Sequence, residues 1–124
     1  MSSGLRSSAW LDGDDEAALA HRAATRMAGA SVEQGTPLPV VMIVDTSSEF
    51  NPCNLPLRAL AEDVRRGVAD AGGVPLVASA MSPGEDLMKP SAMLYRNLLS
   101  MEVEELVRAN PVDGLVLLVN CDKT

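Results

Sequence analysis

Val40-Val41-Met42-Ile43-Val44, a polar run over residues 45–54, then Leu57, Leu60, Ala61, Val64, Val68 and Ala71, then Gly72-Gly73 and the short apolar run of residues 74–79: this stretch decides the fold class. The unbroken apolar run predicts a strand buried on both faces. The six apolar positions that follow are spaced by three and four, a single stripe along a helix. Gly72-Gly73 ends that helix in the usual C-terminal manner. A second apolar strand after it completes a β-α-β unit, whose strands are parallel.

Working downstream, residues 80–90 form a polar loop, and Ser91 can cap a second helix. Its expected inner face holds Leu94, Tyr95, Leu98, Leu99, Val103, Leu106 and Val107, and Asn110-Pro111 ends it. Residues 115–119 are a third strand. Upstream, Asp14 or Asp15 caps a helix over Glu16–Met27, and residues 28–39, with Gly29, Gly35, Pro37 and Pro39, connect it to the first strand. Residues 1–15 are expected to be a loosely held arm that Trp10 anchors on a neighbouring surface. The fold class is therefore α/β: a parallel sheet of three strands from successive βαβ units, preceded by an N-terminal helix, as a truncated part of a larger α/β domain. Residues 1–37 read as arm and helix, and residues 38–124 as the incomplete α/β domain. The third strand has no following helix, so apolar surface beside it should be exposed.

Composition narrows the function. With 17 acidic and 10 basic residues the chain carries a formal charge of −7, the wrong sign for neutralising nucleic-acid phosphates or an anionic membrane. The polar first ten residues hold no apolar signal core, and no apolar run approaches the length of a membrane span, so a cytoplasmic location is expected. The two cysteines, Cys53 and Cys121, are 68 positions apart and fit no compact zinc pattern. No Gly-rich phosphate loop follows the first strand, which argues against a nucleotide-binding domain.

Ligands of open α/β sheets bind beyond the carboxyl ends of the strands. Three loops lie there: residues 45–54 with Cys53, residues 82–86 with Glu85 and Asp86, and residues 120–124 with Cys121, Asp122 and Lys123. Neighbouring strands ~4.8 Å apart would let these loops converge on one pocket. Thiolates there could hold a soft metal centre and carboxylates a hard cation. Ordinary loop chemistry, with acids capping helices and cysteines merely buried, accounts for the same residues and stays open at this level. His21 suits a surface or packing role, Thr46, Ser47 and Ser48 suit loop capping, and Arg96 and Asn97 suit a supporting role.

The motifs Glu49-Phe50-Asn51-Pro52-Cys53-Asn54, Pro90-Ser91-Ala92-Met93-Leu94-Tyr95-Arg96-Asn97-Leu98 and Cys121-Asp122-Lys123-Thr124, in that order and spacing, resemble the dihydroxy-acid dehydratase/phosphogluconate dehydratase family. The resemblance is close over residues 38–124 and looser in the arm, where residues 5–10 are more similar to the sugar-acid (arabinonate or xylonate) branch than to the branched-chain amino acid branch. It implies a lyase that removes water from a 2,3-dihydroxy acid to give an enol, which relaxes to a 2-keto acid. Cys53 and Cys121 then correspond to two cysteine ligands of an iron–sulfur cluster, 2Fe–2S in preference to 4Fe–4S. Glu85 and Asp122 correspond to ligands of Mg2+, and Lys123 to a lysine carried as a carbamate. A cluster iron lacking a protein ligand can act as a Lewis acid on a departing hydroxyl, while magnesium holds the substrate carboxylate.

Family enzymes run to several hundred residues, with a third cluster cysteine and a serine general base further along. The chain of 124 residues is therefore expected to be inactive alone, and its full-length parent a homo-oligomeric dimer or tetramer. The competing reading is a non-catalytic α/β binding module or a decayed gene fragment.

Overall fold

The computed structural model describes residues 4–36 and 38–124. Pro37, at the expected boundary between arm and α/β unit, and the first three residues of the arm lie outside the described residues. The elements are α1 (Ser8–Leu11), α2 (Glu16–Met27), β1 (Val40–Asp45), α3 (Leu57–Asp70), β2 (Val74–Ser79), α4 (Arg96–Ala109) and β3 (Gly114–Leu118), with a 3-10 turn at Ala92–Tyr95 leading into α4.

All three strands are parallel, in the order β2-β1-β3. Val40 lies opposite Val74 and Val41 opposite Gly114, so the strands finish level, with Asp45 beside both Ser79 and Leu118. The chain steps to one side of β1 through α3 and then back past β1 through α4, which puts the two helices on opposite faces of the sheet. On one face Ile43, Val116 and Leu118 pack against Leu57, Ala61 and Val64 of α3. On the other, Met42, Val44 and Ala78 meet Val103, Leu106 and Val107 of α4. Ile43 and Val44 are both fully buried, which is why β1 reads as a continuous apolar run.

Local sequence explains the helix ends. The Asp15 carboxylate accepts the Ala18 N–H at 2.8 Å and caps α2. Gly72 takes φ +83°, the left-handed turn that closes α3 without a Cβ penalty. The Ser91 hydroxyl accepts the Met93 N–H at 3.2 Å, but the turn it caps is 3-10, and α4 begins only at Arg96.

Three expectations need correction. Leu94 and Leu98 do not face the core: they are 67% and 50% exposed, Leu94 in the 3-10 turn ahead of α4 and Leu98 outside a buried arc of α4 that holds Leu99, Val103 and Leu106. Leu60, at 44% exposure, likewise lies at the edge of the α3 stripe. The described part of the arm is not loosely held. Arg6 donates to the carbonyls of Val107, Asn110 and Arg108 at 2.9, 2.6 and 2.5 Å, capping the end of α4. Helix-end carbonyls lack intrahelical partners, and a guanidinium fork satisfies several at once. The same guanidinium lies 4.9 Å from the Trp10 ring centroid, and Leu11 enters a core cluster with Val40 and Val74.

Asp113 completes this latch, accepting the Ser7 N–H at 2.9 Å and the Val40 N–H at 2.8 Å. Desolvation pushes its carboxyl up, but the hydrogen bonds from Ser7, Val40 and Arg6 outweigh that and hold it below the ordinary aspartate value. As expected, apolar surface is exposed beside β3, at Leu115 and Leu117. Among the described residues no helix is long and apolar enough to cross a membrane.

Candidate active site at the carboxyl edge of the sheet

Strand order β2-β1-β3 places the reversal of winding between β1 and β3, where open parallel sheets leave a crevice at their carboxyl edge. The loop after β1 carries Cys53 and the chain after β3 carries Cys121. Thr46 ties the two strand ends: it is fully buried and donates its hydroxyl to the Leu118 carbonyl at 2.7 Å.

The two thiols come together across this crevice. Cys53 is exposed, Cys121 half-buried, both are free, and each lies within interaction range of the other. Partial loss of hydration, then the Asp86 carboxylate and the Cys121 thiol, push the Cys53 thiol above its ordinary value. Its sulfur is 3.9 Å from Asp86 Oδ2, and the Cys121 sulfur is 3.8 Å from Asp122 Oδ1. A thiol raised in this way, as Cys53 is, gives up its proton when a cation offsets the charge, as metal ligands do on binding.

Beside them Asp122 and Lys123 form an ion pair. The hydrogen bond from Lys123 holds Asp122 below its ordinary value, and the same bond, with the charges of Asp122 and Glu85, raises Lys123. Glu85 therefore shares the electrostatic neighbourhood of Lys123, although its own carboxylate accepts the Ser91 hydroxyl at 3.2 Å. The Arg96 guanidinium is felt by both Asp122 and Lys123. Among the described residues no three His, Cys, Asp or Glu side chains are gathered as a ready metal site. The donors fit two kinds of metal in part: two soft sulfurs across one crevice and the hard carboxylate of Asp122 next to one of them. Cys121 and Asp122 are consecutive, so their Cα atoms are only ~3.8 Å apart and the two donor types are forced to be neighbours.

The polar residues that build this rim carry no chemical signal in the sequence beyond being loop asparagines and hydroxyls. Asn51 and Asn54 are fully buried. Asn51 Nδ2 donates to Ser82 Oγ at 3.1 Å and to the Pro83 carbonyl at 3.2 Å, joining the first loop to the second. Its Oδ1 is a buried oxygen without a hydrogen-bond partner. It lies against Gly84, where an added Cβ would stand 2.8 Å from it and 2.6 Å from Asn51 Cγ. The second loop is held from below by Glu102 of α4, which accepts the Met81 N–H at 2.9 Å. Ser47 and Ser48 serve the loop itself, Ser47 donating to Asp45 and Ser48 accepting the Phe50 N–H. His21 lies against the arm, its Nδ1 being 3.1 Å from the Trp10 carbonyl oxygen.

The family profile described as dihydroxy-acid/6-phosphogluconate dehydratase N-terminal matches residues 38–124. The chain is 48% identical over 97% of its length to a 6-deoxy-6-sulfo-D-gluconate dehydratase of Pseudomonas putida, covering 21% of that protein. It is 44% identical over 97% of its length to an L-arabonate dehydratase of Azospirillum brasilense, again 21% of the relative. A dihydroxy-acid dehydratase of Koribacter versatilis is 37% identical over 96% of the chain and 21% of the relative. The chain thus spans about a fifth of the length of the curated relatives it matches.

Proposed function

Since the chain belongs to the dihydroxy-acid/6-phosphogluconate dehydratase family and matches its N-terminal part, we propose that it supplies one wall of the active site of an iron–sulfur, magnesium-dependent hydro-lyase. The substrate is a 2,3-dihydroxy carboxylic acid and the product a 2-keto acid. An aldonic acid is the favoured substrate class, because the relatives at 48% and 44% identity are named for sugar-acid substrates and the one at 37% for dihydroxy acids.

The observation that supports this most is the approach of Cys53 to Cys121 at the β1/β3 crevice, with Asp122 next to Cys121 and Glu85 in the electrostatic neighbourhood of Lys123. In this proposal Cys53 and Cys121 hold the cluster, and Glu85, Asp122 and Lys123, as its carbamate, hold magnesium. When bound, the two centres supply Lewis acidity for hydroxide departure and for the developing charge on the substrate carboxylate side. The chain's own contribution is placement. Thr46 and Asn54 keep the loops after β1 and β3 in contact, so both donor sets face one volume. The ion pair with Asp122 raises Lys123 and favours its protonated form, whereas a carbamate forms from the neutral amine. A third cluster ligand and the general base come, in this proposal, from sequence outside residues 1–124.

Anaerobic iron and sulfide reconstitution of the polypeptide extended to its relatives' length tests this. Release of 2-keto acid would be followed for aldonic acids and for a branched-chain dihydroxy acid. Visible iron–sulfur absorption and dehydratase activity should both disappear in Cys53→Ser and in Cys121→Ser. Full activity in either variant would remove the proposal.

A further inference from the structure

Each cysteine has an asparagine beside it in the chain: Cys53 is followed by Asn54, and Cys121 is preceded by Asn120. The structure crosses these pairs. Asn54 Oδ1 accepts the Cys121 N–H at 3.0 Å, and Asn120 Nδ2 donates to the Cys53 carbonyl at 2.6 Å. The backbone of each cysteine is thus held by the neighbour of the other.

Asn54 is itself locked. It is fully buried, and its Nδ2 lies 2.9 Å from Thr46 Oγ1, 3.2 Å from Ser82 Oγ and 3.3 Å from Thr124 Oγ1. An amide nitrogen has only two hydrogens, so these acceptors more than satisfy it, and each can take the bond. Thr46 Oγ1 uses its own hydrogen on Leu118 O, and Thr124 Oγ1 uses its own on Pro83 O at 2.8 Å. Both threonine hydroxyls beside the amide therefore have a defined direction. One side chain consequently touches the segments after all three strands.

We infer that Asn54 and Asn120 form a reciprocal strap that presets the Cys53 and Cys121 thiols as a two-point ligand before any metal arrives. They are positioning residues, acting through the cysteine backbones. The inference deepens the proposed function and rests on its assignment of the two thiols as partner ligands. Presetting matters because a ligand pair that must be ordered on binding loses affinity to that ordering.

A trivalent phenylarsenical tests this without iron: its arsenic forms one bond to each of two thiol sulfurs, and its oxygen leaves as water with the two thiol protons. The 124-residue chain should bind one equivalent. Asn54→Ala should weaken binding by about tenfold or more, as expected for loss of a buried polar contact, and Asn120→Ala should weaken it measurably. Asp113→Ala loosens the fold at the opposite end of the strands and serves as the control, with affinity within about twofold of wild type, since distant sites act independently. Wild-type affinity in both asparagine variants, or an equal loss in Asp113→Ala, overturns the strap. Should Asn54→Ala fail to fold, Asn120→Ala and amide exchange in the wild-type chain decide: the Cys121 N–H should be protected, and free exchange there refutes the inference. Normal arsenical binding in a protein that takes up no iron and sulfide would support the strap and overturn the cluster assignment instead.

Discussion

Gly84→Ala is the sharpest probe of how the rim is built. Gly84 does not adopt a positive φ, so its need for glycine is one of space. An added Cβ would stand 2.6, 2.8 and 2.9 Å from Asn51 Cγ, Oδ1 and Nδ2. Carbon atoms in contact prefer ~3.5–4.0 Å, so the amide must retreat by about 1 Å. It has no room to do so, being fully buried, with its Nδ2 bonded to Ser82 and Pro83. Overpacking costs ~1–3 kcal/mol, and the two lost hydrogen bonds cost ~1 kcal/mol each. The expected destabilisation is therefore about 3–5 kcal/mol. Urea unfolding of the 124-residue chain at neutral pH measures it, with Gly67→Ala as the internal contrast. Gly67 sits within α3, and a methyl group added there would meet nothing within 4 Å, so alanine should stabilise by ~0.5–1 kcal/mol. Adding Asn51→Ala to Gly84→Ala should recover part of the loss, because the clash partner is gone. A neutral Gly84→Ala, or equal effects at the two glycines, would refute the steric argument.

Other consequences concern the latch between arm and sheet. Asp113→Ala should cost ~1.5–3 kcal/mol near neutral pH, since two backbone N–H groups lose a charged acceptor. Because the folded-state carboxyl titrates below its unfolded value, this contribution is fully present above the ordinary aspartate range and fades as pH falls through the folded value. Wild type and variant should therefore converge in acid-range urea melts, and a pH-independent gap would contradict the assignment. Arg6→Ala should lower stability by ~1–2 kcal/mol and speed amide exchange in residues 5–11, and Arg6→Lys should not restore it, since a point charge cannot serve carbonyls of Val107, Arg108 and Asn110 together. Asp15→Ala should cost ~1 kcal/mol through loss of the α2 cap, read by thermal unfolding, with Asp15→Ser recovering most of it.

Apolar runs, helical spacing and a capping aspartate located each described strand and the three long helices within a few residues, because such signals act over a few neighbouring positions. Apolar runs at β1 and β2 and the glycine pair after α3 were legible for that reason. Motif order also pointed to the family, and the profile match over residues 38–124 agrees. What stayed hidden depends on partners distant in sequence. Nothing near Arg6 announces that it caps a helix ending about a hundred residues later. Leu94 and Leu98 have the same hydropathy as Leu99, yet only the sheet's position decides which of them is covered.

The candidate site divides along the same line. Cys53, Glu85, Cys121 and Asp122 were visible as residue types suited to metals, placed after strands, whereas Lys123 gained its expected role only through the family resemblance. The approach of Cys53 to Cys121 required the order β2-β1-β3, which sets the loops after β1 and β3 side by side. Asn51, Asn54, Gly84 and Asn120 looked like ordinary loop residues, and they acquired a role only when three loops closed on one another. Chain-local forces choose helix or strand from the residues nearby, whereas hydrogen bonds between loops and the room for a single methyl group exist only once the sheet has brought those loops within a few ångströms.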